Sequence, residues 1–195
     1  MQTSQAMECK TTSRMIGDTR RAHSAQRGFT LIELIIGVVI VSLLLALGIP
    51  SFKSWVLNAQ IRDGAEAILN GIQLARANAI QQNRLVVFEL QNTATPANWR
   101  IYIDGNTAGP YIQQWTADEG AKNTVITPTP SALLTFNGLG QRVTNTDSSA
   151  SITQVDVTSS ASTSAEMRPL RIVVGAAGSP KMCDPGLTTG DPRAC

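Results

Sequence analysis

Residues 29–49, Phe29 to Ile49, read FTLIELIIGVVIVSLLLALGI. The run holds 21 residues and a single charge, Glu33. At helical rise it spans roughly 31 Å, enough for a hydrocarbon core of about 30 Å. Basic residues precede it, Arg27 closest, so the positive-inside rule sets the N-terminus in the cytoplasm and the body outside. A secretory signal cleaved at Ala46-Leu47-Gly48 and a plain single-pass anchor are the ordinary readings of such a run. Neither accounts for Glu33, because an ionised carboxylate costs about 2.5–3.5 kcal/mol at the centre of a membrane helix and less near its ends. A cut before Phe29 would create an α-ammonium four residues from Glu33. That is one helical turn, close enough for pairing on the same chain or a neighbour.

On the C-terminal side the pattern stays helical. Ile61, Ala65, Ile68, Ile72, Ala75 and Ala79 recur at spacings of three and four, while Arg62, Asp63, Glu66, Gln73 and Arg76 take other faces. The expectation is one helix from about Thr30 to Gln82, bent near Pro50, whose second half lies across a sheet. Gly64 and Gly71 should each weaken it by about 1 kcal/mol relative to alanine. Gly37 and Gly48 would allow close packing of membrane helices.

After Asn83 the texture becomes β-like. Leu85–Leu90, Trp99–Ile103, Tyr111–Trp115, Thr124–Thr127, Leu133–Phe136 and Leu170–Val174 are strand candidates, with a weaker one through Ile152, Val155 and Val157. Asp104-Gly105-Asn106 and Asn137-Gly138-Leu139-Gly140 read as turns. Residues 144–165, rich in Ser and Thr, read as a long flexible insertion with at most one short strand. Helix first and strands afterwards is an α+β order: a long N-terminal helix packed on an antiparallel β-sheet head.

Charge and chemistry narrow the function. Residues 1–28 carry five basic and two acidic side chains, and residues 29–195 carry 11 and 12, so a basic leader precedes a nearly neutral body. The net charge therefore gives no case for nucleic-acid binding by the whole body. His23, in the leader, is the only histidine; without the leader, Ser-His-Asp and Cys-His catalysis are excluded. No phosphate loop, nucleophile elbow, zincin or EF-hand motif occurs, so neither an enzyme nor a cofactor is expected. Asp118-Glu119 reads as a solvated turn. Cys9 lies in the leader. In an oxidising envelope Cys183 and Cys195 would close a loop worth about 3 kcal/mol, with Asp184-Pro185-Gly186 and Gly190-Asp191-Pro192 supplying turns. Metal binding and free thiols are the other readings of that pair.

Arg27-Gly28-Phe29-Thr30-Leu31-Ile32-Glu33-Leu34 resembles the class III prepilin signal of type IV pilins and type II secretion pseudopilins. The resemblance implies cleavage by prepilin peptidase between Gly28 and Phe29 and N-methylation of Phe29. It implies pairing of Glu33 with a neighbour's amino terminus during assembly, and a kink at Pro50. A leader of 28 residues is long for that signal, and Met7 and Met15 are alternative starts. The head is similar to the GspH/FimT-type minor subunits in Ala75-Arg76-Ala77-Asn78-Ala79, in Leu134-Thr135-Phe136-Asn137-Gly138-Leu139-Gly140, and in the ending from Met182-Cys183-Asp184-Pro185 to Asp191-Pro192-Arg193-Ala194-Cys195. The ending looks more like FimT than GspH.

These resemblances imply a leader (1–28), a transmembrane and assembly helix (29–49), its amphipathic continuation (50–82) and a β-rich periplasmic head with a stapled tail (83–195). The expected function is a minor pilin of a type IV pilus, held in a bacterial inner membrane and assembling with other pilins through its helix. The alternatives are a GspH-type pseudopilin of type II secretion and a DNA-binding minor pilin. FimT-like proteins of some transformable bacteria bind DNA through basic C-terminal residues. The candidates here are Arg168, Arg171, Lys181 and Arg193, with Arg142 beside them. Gly178-Ser179-Pro180-Lys181 has one basic residue where that family's tail has two.

Overall fold

Thr30 begins the fold and Asn83 ends its only helix among the described residues. The computed structural model describes residues 28–93, 96–118, 120–161 and 167–195, with the backbone alone at 47–51 and 92. Cys9, His23, Glu119 and the leader ahead of Gly28 lie outside the described residues. Helix α1 runs Leu31–Gln82, through Pro50, within a residue of the expected bounds. It stops where Asn83 turns to φ +48°, the left-handed cap that asparagine tolerates. The Arg84 N–H then reaches back to the Ala79 carbonyl at 3.3 Å.

Nine strands follow: β1 (Val86–Asn92), β2 (Asn98–Ile103), β3 (Gln113–Thr116), β4 (Thr124–Thr129), β5 (Leu133–Phe136), β6 (Arg142–Val143), β7 (Gln154–Ser159), β8 (Leu170–Val174) and β9 (Pro180–Cys183). They form two antiparallel sheets, ordered β3-β2-β1-β5-β6 and β4-β7-β8-β9. The chain divides into two units, Met1–Ser42 and Leu43–Cys195. The second holds the core.

All six residues of the helical stripe are buried, and they form one cluster with the inner faces of both sheets. Phe88, Trp99, Ile101, Leu134 and Phe136 come from the first sheet; Ile126, Val155, Val157, Ile172 and Val174 come from the second. Gln60 ties the helix to the second sheet, its carbonyl accepting the Thr124 hydroxyl at 3.2 Å. The glycines of α1 have a tertiary reason that propensity does not express. A Cβ on Gly64 would stand 2.8 Å from Thr124 Cγ2, and one on Gly71 would stand 2.8 Å from Phe88 and 2.9 Å from Trp99. The helix lies on the sheets at glycine distance.

The segment 144–165 departs from the expected flexible insertion. Asn145 and Ser151 are buried, and Asn145 Oδ1 accepts the Thr135 and Ser151 hydroxyls, each at 2.8 Å. Its amide donates to the Leu133 carbonyl at 3.3 Å and the Ser149 hydroxyl at 2.9 Å. β7 then becomes an inner strand of the second sheet, alternating buried Val155, Val157 and Ser159 with half-buried partners. The Asn145 hydrogen bonds, together with Ile152, Val155 and Val157 in the core, order this stretch. Residues 162–166 lie outside the described residues.

Val87, Tyr102 and Thr135 are register neighbours on the outer face of the first sheet, and all three are buried. Burial, with Glu89 nearby, pushes the Tyr102 phenol from 10.0 up to about 12. Beside it, Arg100 pairs with Glu89 at 2.8 Å and donates to the Tyr111 hydroxyl at 2.7 Å.

Two predictions follow from this packing. Helix propensity alone makes Gly71→Ala stabilising by about 1 kcal/mol, whereas overpacking against two buried rings costs about 1–3 kcal/mol. Urea denaturation of the detergent-solubilised chain should show the variant less stable; a more stable variant would contradict the close approach. The second concerns alkaline pH. The unfolded Tyr102 ionises near pH 10 and the folded one near 12, so its protonated form supports the fold fully below pH 10 and loses that effect as pH rises to 12. Thermal melts should show a loss of up to about 2–3 kcal/mol across that window, reduced in Tyr102→Phe.

Candidate assembly site

Thr30 sets the geometry at the start of α1. Its hydroxyl accepts the Glu33 backbone N–H at 3.2 Å, and its carbonyl accepts that of Leu34 at 3.2 Å. Thr30 is the Ncap residue and Glu33 stands at N3, the spacing of a capping box, of which the bond from the Glu33 N–H to the Thr30 hydroxyl is formed. The Thr30-x-x-Glu33 spacing signals this, and reading Glu33 as a lone membrane acid leaves it out. The carboxylate also sits in the first helical turn, where the macrodipole favours a negative charge by about 0.3–1 kcal/mol. Gly28 and Phe29 precede the helix in exposed, non-helical chain, with Phe29 84% exposed.

Every described side chain from 28 to 46 is exposed, although most are large and apolar. Among the described residues no helix is long and apolar enough to cross a membrane. The described side chains stop at Ala46, inside the apolar run, and the rest of the span expected over 29–49 lies outside them.

At the other end of the chain, Cys183 and Cys195 form a disulfide with Cα atoms 5.1 Å apart. This settles the pair as a staple rather than free thiols or metal ligands. The enclosed turn is tied by the Asp184 N–H to the Arg193 carbonyl at 2.8 Å and by the Gly186 N–H to Asp184 Oδ1 at 2.9 Å.

The structure does not leave all the basic candidates free. Arg171 holds Asp156 with two bonds, at 2.6 and 3.2 Å, and Arg193 holds Asp191 at 3.1 and 3.2 Å. The Arg193 hydrogen bonds draw the Asp191 carboxyl below its ordinary value, and Asp191 in turn raises Arg193. Arg168 and Lys181 are exposed, and the half-buried Arg142 donates to the Ile152 carbonyl at 3.3 Å. Arg76 does what the sequence reading did not assign it. It donates to the Gly140 carbonyl at 3.0 Å and to the Ser179 hydroxyl at 3.4 Å, joining segments far apart in sequence.

A capped apolar helix that continues as the spine of a two-sheet head defines a pilin-like subunit. Residues 23–49 match the prokaryotic N-terminal methylation motif, and residues 64–178 match the family described as type II transport protein GspH. The second match covers more than half of the chain, and the chain belongs to that family. The stapled tail lies beyond the match. Type IV major fimbrial protein FimA of Dichelobacter nodosus (strain VCS1703A) is 34% identical over 61 residues, 31% of this chain and 37% of that protein. Another Dichelobacter nodosus FimA is 36% identical over 58 residues, 30% and 36% of the two chains. The chain thus spans little more than a third of the length of these relatives. The crystal structure of type IV minor pilin FimU from Pseudomonas aeruginosa (strain PAO1) aligns with a TM-score of 0.47 and 16% identity, over 62% of this chain and 90% of that one.

Reduction should loosen the tail and leave the core folded. The chain-entropy effect of this loop is about 3 kcal/mol, so paired Cys183→Ser and Cys195→Ser should lower stability by up to that amount. The buried stripe should keep its hydrogen-exchange protection. Loss of protection along Ile61–Ala79 would show that the staple holds the core as well.

Proposed function

We propose that this chain is a minor pilin of FimT type, anchored in a bacterial inner membrane and matured by prepilin peptidase. The peptidase would cut between Gly28 and Phe29, and the new Phe29 amine would be methylated. The apolar helix would then move from lipid into a bundle of other subunits' helices, where Glu33 meets a neighbour's amino terminus. Pro50 would let the helix bend as it packs. The head would face the periplasm. The observation that carries this reading is the capped helix start: an exposed Gly-Phe junction, Glu33 one turn on, and exposed apolar side chains through Ala46.

Electrostatics gives assembly a direction. Glu33 at the N-terminal turn is tolerable in lipid near the interface, but an ionised pair buried between helices is stable only if both partners are present. Removing one partner of such a pair costs about 3–5 kcal/mol.

A GspH-type minor pseudopilin of type II secretion is the second reading, favoured by the family match over residues 64–178. The mechanics are the same, with a different machine as host. DNA binding is outside the proposal, because Arg171 and Arg193 are held by carboxylates.

Intact mass of the membrane-extracted protein tests the maturation. The expected species begins at Phe29, carries one added methyl group and retains one disulfide. A species that keeps its leader sinks the reading. Glu33→Ala should be cleaved normally yet enter sheared fibres more than about tenfold less than wild type. Deletion of the gene should abolish surface pili for the pilus reading, or block secretion with pili intact for the pseudopilin reading.

A further inference from the structure

In the unit Leu43–Cys195, the exposed surface of α1 changes chemistry along its length. Leu43, Leu44 and Leu45 are exposed, and so are Arg62, Asp63 and Glu66, with Arg62 and Glu66 paired at 3.1 Å. Between these groups stand Phe52 and Trp55, 63% and 66% exposed, their rings 5.9 Å apart. They are three residues apart and so share one side of the helix. That side is not the one that enters the core, whose stripe begins at Ile61. Lys53, between them in sequence, is exposed too.

An exposed aromatic pair in open water gains nothing from its apolar area. At the edge of a bilayer the same pair is favoured, because an indole presents an apolar body to the chains and an N–H to the headgroups. A lysine beside it can extend its charge to the phosphates. From Leu44 to Phe52 the helix rises about 12 Å, so the pair stands at the level where leucine gives way to charge.

We propose that Phe52 and Trp55, with Lys53, form an anchor that binds the lipid headgroup interface on the head's side of the membrane. It fixes how deep α1 sits before assembly. The inference rests on the membrane-anchored reading above and adds to it a specific lipid contact.

Trp55, Trp99 and Trp115 are the only tryptophans of the chain. Trp99 is buried in the core and Trp115 is half-buried beside it, their rings 6.3 Å apart. Lipid-borne quenchers therefore single out Trp55. The full chain is reconstituted into vesicles of phosphatidylethanolamine and phosphatidylglycerol with bromine placed either at the top of the acyl chain or at its end. Up to roughly a third of the tryptophan emission should be lost to the upper bromine, less to the lower one, and this loss should vanish in Trp55→Phe. Equal quenching in wild type and Trp55→Phe overturns the anchor, as does stronger quenching by the deep bromine. Protection of Trp55 from lipid bromine and aqueous iodide alike also overturns it, and points to a neighbouring helix as the occupant. A chain that does not float with the vesicles defeats the membrane reading itself. One that floats with Trp55 unquenched defeats only the anchor.

Discussion

The head depends on the contact between one face of α1 and two sheets at once. Six small or branched residues, Ile61 to Ala79, supply the fully buried apolar side chains of the helix, with half-buried Leu69 and Leu74 packed against the same core. Gly64 and Gly71 let the backbone come down onto Thr124 in one sheet and onto Phe88 and Trp99 in the other. Neither sheet could bury its inner face without the helix. The two glycines cost intrinsic helicity, and the stripe offsets this by burying its apolar area in the common core.

The N-terminal part of α1 obeys a different rule. Apart from Glu33 and Ser42 its side chains are apolar on every side, and none of those described through Ala46 is covered. A helix hydrophobic all round asks for an apolar environment, and in the proposed function it has two in turn, lipid and then other helices. The Thr30 cap satisfies a backbone N–H at the helix start. In the proposed function the Glu33 carboxylate one turn from Phe29 would meet a newly made amine.

Legibility in the sequence followed the range of the forces involved. The stripe and the helix bounds were readable, because a period of three and four repeated over many turns has no other common cause. β5 has the bounds its sequence implies, and the cysteine pair forms the expected staple. What escaped was tertiary. Gly64 and Gly71 looked like weaknesses, because only the sheets explain them. Asn145 and Ser151 looked like loop residues, because a buried hydrogen-bond hub has the composition of a solvated turn. β6 has two residues, and β9 starts on a proline and lacks alternation, so neither produced a pattern. Arg76 escaped because its partners, Gly140 and Ser179, are far away in sequence.

β9 is an edge strand, and its hydrogen-bonding rim would invite a strand from another molecule. Pro180 has no N–H to offer at one end, exposed Lys181 adds a charge, and at Asp184 the returning tail forms a parallel bridge with Ala194. The disulfide holds that tail in place. The staple thereby closes off part of an open rim, and in the proposed function it would keep one head from pairing edge to edge with the next.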